Sequence, residues 1–181
     1  VPTTMLVHGT ATYNSGNAGG GIGFVGDYNS ATDDTQFATI AGEKENTVDG
    51  EYGGALTFHT RENGGLGGER MRIVGNGNVG IGTASPSSWY SCNLVVAAAN
   101  TGGITIAATA TDAINYLMFG DGTSGNAPYR GQLLYDHGND KMQLATAATA
   151  ALTIDSSGNV GIGTATPLSL STQKSVTIHG S

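Results

Sequence analysis

Several residue groups have types and spacings that could do chemistry. Gly75-Asn76-Gly77-Asn78-Val79-Gly80 matches G-x-G-x-x-G, the spacing with which a dinucleotide fold passes from strand to helix and lays a pyrophosphate on the helix N-terminus. Here Ile81-Gly82-Thr83-Ala84-Ser85-Pro86 follows, which opens no helix of useful length, and in a second occurrence Ser156 stands where the first glycine is needed. We expect no nucleotide site. His8, His59, His137 and His179 are the residues to examine for metal or acid–base chemistry. The acids Asp33-Asp34 and Asp136 with Asp140 lack EF-hand spacing and read as solvated loop groups. Trp89 and Tyr90 admit two roles: stacking on sugar rings, or filling a junction between units, which is the expected one because large aromatics are mostly buried. Ser85, Ser87, Ser88, Ser156 and Ser157 show no Gly-x-Ser-x-Gly elbow, Cys92 no histidine pairing, and no carboxylate pair can be assigned to glycoside hydrolysis. The expectation is a protein with no catalytic residues, no cofactor and no metal.

The elements that must position these groups are set by a repeat. MRIVGNGNVGIGTASP at 71–86 returns as LTIDSSGNVGIGTATP at 152–167, offset by 81 residues, with an identical Gly-Asn-Val-Gly-Ile-Gly-Thr-Ala centre. Such self-similarity marks an array. In each copy Ile73 or Ile154 should end a strand, Gly77 or Gly158 should take the positive φ of a tight turn, and Val79-Gly80-Ile81-Gly82 or Val160-Gly161-Ile162-Gly163 should return as a strand until Pro86 or Pro167 stops it. Side chains alternate in a strand, so one face carries Val and Ile while the other is bare glycine. A bare face admits a second backbone closely, and in a bundle of identical chains it is the candidate inter-chain contact.

Short β-prone runs follow each proline, at 4–9, 93–98 and 175–180, so the chain reads as unit one (1–86), unit two (87–167) and the opening of a third (168–181). Further strands are expected at 21–27, 55–60, 103–108 and 113–119. A hairpin is expected between 132–135 and 141–146, and exposed loops at 28–39, 61–68 and 120–129. Phe24 and Phe119, each followed shortly by Gly-Asp, should be counterparts. The alanine-rich 145–151 is expected to be extended or a turn, since its counterpart 61–70 contains four glycines.

Composition supports an all-β class. Of 181 residues 30 are glycine and only 12% are charged, and no helix-forming run rich in Leu, Glu, Lys and Arg occurs. With few long apolar side chains and many glycines to order, association between chains is the expected remedy. A net charge of −7 opposes binding to duplex nucleic acid. No apolar run reaches membrane-spanning length, so no membrane insertion is expected. The opening Val1-Pro2, without an initiator Met, suggests a piece of something longer.

The string Ile-Asp-Ser-Ser-Gly-Asn-Val-Gly-Ile-Gly-Thr-x-x-Pro, with Glu69-Arg70-Met71-Arg72 before the first copy, resembles the repeats of bacteriophage tail fibres and related virion appendages. The segments ATYNSGNAGGGIGF, KENTVDGEYGGALTF and FGDGTSGNAPYRGQLLYDHGND are similar to the same fibres, so the resemblance covers nearly the whole chain. The second copy departs from it, with Ala150, Ala151, Leu152 and Thr153 in place of Glu-Arg-Met-Arg. The resemblance implies an elongated, parallel homotrimeric β fibre segment. Such a segment belongs to the virion, outside the cell, joined to other virion proteins and presenting loops to the host surface. Fibres of this kind often precede a C-terminal intramolecular chaperone, which is not recognisable here. His8 and His179 hold equivalent places, and on a three-fold axis such a histidine would form a ring able to bind a metal or anion. A carbohydrate-binding receptor module using Trp89 and Tyr90 is the alternative, and a polysaccharide-degrading tailspike a weaker one.

Overall fold

The computed structural model describes residues 18–90, 93–170 and 173–179. His8, Cys92 and the strand expected at 4–9 lie outside them. The described chain is all-β and divides into two units, one through Ile104 and one from Thr105.

In the first unit β1 (Gly19–Asp27), β2 (Asp34–Lys44), β3 (Gly54–Arg61), β4 (Gly67–Ile73), β5 (Val79–Ile81) and β6 (Leu94–Val96) form one sheet in chain order. Neighbours are antiparallel except β5 and β6, which are parallel. In the second unit β7 (Ile114–Phe119), β8 (Gly131–Asp136), β9 (Lys141–Thr146), β10 (Thr149–Ile154), β11 (Val160–Ile162) and β12 (Val176–Ile178) follow the same order, again closing on a parallel pair. Division by motif ends each unit at its proline. Division by ladder carries it one strand further, because β6 and β12 pair with the glycine strands that precede them.

Local chemistry explains most of these elements. Asn29 Oδ1 accepts from the backbone N–H of Ala31 (3.0 Å) and Asp33 (3.2 Å), which folds the β1–β2 connection into an Asx turn. The exposed loop expected over 28–39 therefore shrinks to its first six residues, and β2 begins at Asp34, because Thr35 and Gln36 already pair with Gly26 and Val25. Ala147 and Ala148 take φ of 50° and 59°, the two positive values of a two-residue hairpin turn, so 145–151 is strand, turn and strand. Phe24 and Phe119 stand opposite Ala38 and Gly131, which hold the same place in the two ladders. The strand expected at 103–108 does not form. Ile104 and Ile106 stay 71% and 49% exposed, and the run is tied to β7 by the Asn115 side-chain amide, which donates to the Ile106 carbonyl at 2.7 Å, with no ladder formed.

Register divides each sheet into two unlike faces, because directly paired residues point the same way. One face of the first sheet runs Ile22, Ile40, Phe58, Met71, Ile81, Val96, with Leu56, Ile73, Val79 and Leu94 beside them. The matching face of the second runs Leu117, Leu133, Leu144, Leu152, Ile162, Ile178. The opposite faces carry Thr57, Arg72 and Gly80, or Gln143, Thr153 and Gly161. Among the described residues the buried apolar side chains are few, Ala55, Val95, Ala145 and Pro86, whereas Thr57 and Thr153 are completely buried. Among the described residues nothing of either unit covers its own apolar face, and the polar face packs best.

Candidate functional site

The repeated motif builds the same hairpin in both units. The Gly77 N–H donates to the Val74 carbonyl (2.8 Å) and the Gly158 N–H to that of Asp155 (2.8 Å), with φ of 88° and 78° at the two glycines. This is a three-residue loop whose last residue needs a left-handed backbone. Asn76 Oδ1 accepts the Asn78 N–H at 3.1 Å in the first copy, while Asp155 Oδ1 accepts from Ser157 (3.0 Å) and Asn159 (2.8 Å) in the second. Those bonds, led by the Asn159 side-chain amide on Oδ2, hold the Asp155 carboxyl below its ordinary range.

Beyond the turn, the glycine face is closed by the chain itself. A Cβ on Gly80 would lie 2.5 Å from the Thr83 carbonyl oxygen and 3.4 Å from Pro86 Cβ; on Gly161 it would meet Thr164 O at 2.8 Å and Pro167 Cγ at 3.0 Å. The Thr-x-x-Pro segment folds back over the strand it terminates, and Pro86 is fully buried there. The expectation that this face receives another chain is therefore corrected: it is bare because the chain's own backbone occupies it. Gly82 and Gly163 then take φ of 73° and 71° to start that reversal, with N–H groups donated to the carbonyls of Arg70 and Ala151, both at 2.9 Å.

Asn159 is the motif's tie to the next strand. It is 2% exposed; its Nδ2 donates to Asp155 and its Oδ1 accepts the Ser175 N–H at 2.9 Å. Asn159→Ala is expected to lower stability by about 1–3 kcal/mol, since it leaves a buried N–H without its acceptor, in urea unfolding followed by circular dichroism. The first copy is built differently, with Asn78 Nδ2 and Asn76 Nδ2 both donating to Ser87 Oγ (3.2 and 3.0 Å).

Val79 and Val160 are half-buried and Ile81 and Ile162 remain 40% and 42% exposed, so these residues form no closed core among the described residues of one chain. They belong to the uncovered face. Trp89 and Tyr90, directly after a 3₁₀ turn at Pro86–Ser88, are also exposed, at 59% and 99%, which corrects their expected role as buried filler. His179 donates its backbone N–H to Ile162 to extend the parallel ladder, and its side chain is exposed. Of the acids read as solvated, Asp136 is only 9% exposed. It accepts from Asn139 Nδ2 (2.8 Å) and the Asn139 N–H, bonds that lower its pKa. Asp140 accepts the Tyr135 hydroxyl, which raises the tyrosine's pKa, and Asp33 accepts Asn29 Nδ2 at 3.0 Å. These carboxylates therefore fasten turns.

No protein-family model matches this chain, and no curated protein does. Among the described residues no helix is long and apolar enough to cross a membrane.

Two further features escaped the sequence reading. An open hollow of about 920 Å³ lies between the β1–β2 and β3–β4 turns, lined by Tyr28, Phe37, Arg61 and Glu62 among others. On the polar face of the first sheet, His59, Glu43, Glu69 and Arg72 meet from three adjacent strands. The bulge in β4 between the residues facing Phe58 and His59 sets Glu69 opposite His59, and a bulge cannot be read from the residues alone.

Proposed function

We propose that this chain is a structural segment of a phage tail fibre or comparable virion appendage, assembled as a parallel homotrimer and presenting its loops for attachment to a host surface. The observation that carries the reading is the uncovered apolar face repeated in both sheets. A sheet must bury its apolar side against something. Here some ten half-exposed aliphatic and aromatic groups per sheet stand to gain about 1 kcal/mol each on being covered. Their sum rivals the whole stability of an ordinary domain, roughly 5–15 kcal/mol, so the isolated chain is an incomplete structure.

The same face on another copy is a fitting cover, because the second unit repeats the strand order of the first and offers its apolar face in the same register. The number three and the virion setting rest on the resemblance of the motif and the flanking segments to tail fibres. In this reading the fibre is built from motif-bounded units at 1–86, 87–167 and 168–181, its function is mechanical and presentational, and it is not an enzyme. Contacts with other virion proteins continue the array beyond this segment. Sedimentation or light scattering of the purified chain is expected to give three copies per particle, and a stable monomer at micromolar concentration would overturn the proposal.

The exposure of Trp89 and Tyr90 favours a second reading, a module that binds host polysaccharide through this aromatic pair. A glycan array probed with the full chain is expected to show binding that falls at least about tenfold in Trp89→Ala, the loss of one stacking contact of ~1–2 kcal/mol. Glycan binding that survives the substitution unchanged would exclude the pair as the contact.

A further inference from the structure

We infer that Glu43, His59 and Glu69 form a binding site for one divalent transition-metal ion of the zinc class. Glu69 is paired directly with His59 across β3 and β4, and Glu43 reaches the same place from β2. One ligand atom from each lies within 4.8 Å of the others, and His59 Nε2 is 3.6 Å from Glu43 Oε1. Ligands held at about 2.1 Å from a tetrahedral ion stand about 3.4 Å apart, so the site needs only a small closure of long side chains. One imidazole nitrogen with two carboxylate oxygens suits zinc-class ions, and a water would complete the fourth position. The histidine and glutamate side chains are 15–28% exposed, which leaves an entry path from solvent.

Two surrounding groups bear on the affinity. Arg72 donates to both Glu69 oxygens, Nε to Oε1 at 2.7 Å and Nη2 to Oε2 at 2.5 Å, yet a carboxylate has lone pairs for further partners, so Arg72 orients Glu69 while opposing the ion's charge. Thr57 Oγ1 lies 3.1 Å from His59 Nε2, the contact a bound ion would replace.

The second sheet argues that this cluster is not required by the fold. There the residues paired in the same place, immediately before the bulge, are Ala145 and Ala150, and Thr153 stands where Arg72 does. A polar cluster dispensable to one sheet and present in the other points to a ligand.

The test is titration of the full chain with Zn²⁺ by calorimetry and with Co²⁺ by visible absorption, without regard to its oligomeric state. Expected are one saturable ion per chain and a tetrahedral Co²⁺ spectrum, which Ca²⁺ does not displace. Affinity should fall at least about tenfold in His59→Ala and in Glu69→Ala, each carrying the residue that the second sheet tolerates. Circular dichroism checks that both variants fold. Arg72→Thr should bind at least as tightly as the unmodified chain. Absence of saturable binding, binding undiminished in both alanine variants, or a loss in Arg72→Thr as large as that in His59→Ala would overturn the inference.

Discussion

Replacing Ile81 and Ile162 together by Asp is expected to dissociate the proposed trimer into single chains that keep their secondary structure. Both side chains sit on the apolar face with about two-fifths of their surface exposed, so each chain alone can present a carboxylate there to water. In an assembly that covers this face each carboxylate would lose its hydration without a partner, at a cost of several kcal/mol per ion. With two substitutions in each of three chains, six such charges would be buried, a penalty of some tens of kcal/mol that opposes the gain from covering the face and adds to the loss of the two isoleucines' own burial. The measurement is sedimentation velocity beside far-ultraviolet circular dichroism. Asp34→Asn, away from this face, should leave the mass unchanged. A double variant that still sediments as three chains would show that assembly uses another surface.

Gly82→Ala is expected to destabilise the first unit by about 3 kcal/mol or more, the second large effect. A left-handed backbone costs a residue with a Cβ about 1–2 kcal/mol, and φ here is 73°. The new methyl would also overlap the Ala97 carbonyl oxygen, a group of the backbone that cannot swing aside, and forcing such a shift adds about 1–3 kcal/mol. Gly77→Ala separates the two contributions. That glycine has φ of 88° but open space around it, so only the strain should appear. Urea unfolding of both variants measures the difference. Equal losses would mean that the close approach of the Ala97 carbonyl to Gly82 contributes nothing.

How much of this was legible beforehand follows from what each inference depended on. The hairpin of the motif was readable because its causes are local: Ile73 and Ile154 close a strand, a glycine takes the positive φ, and a proline removes the ladder donor. The 132–135 and 141–146 hairpin was readable for the same reason, from turn residues between apolar runs. The strand expected at 103–108 does not form because propensity by itself gives only extended backbone, and Gly-Ile-Thr-Ile-Ala-Ala pairs with neither sheet. The loop at 28–39 was overdrawn because Asp33 and Asp34 are polar whether a turn or a strand holds them.

The candidate site was half legible. The alternation of Val-Gly-Ile-Gly determined by itself that the strand has an apolar and a bare face, as any strand with that spacing must. Which face meets what was decided only by the tertiary structure. The Thr-x-x-Pro segment is long enough to double back, and a backbone fits over Gly80 and Gly161 only because no side chain stands there, so the bare face is filled from within. The apolar face is then left over, since among the described residues each sheet is a single six-stranded layer with no second layer laid on it. Likewise His59 and Glu69 are ten residues apart with no motif between them. A bulge in β4, set by how the whole strand seats against β3, is what brings them face to face.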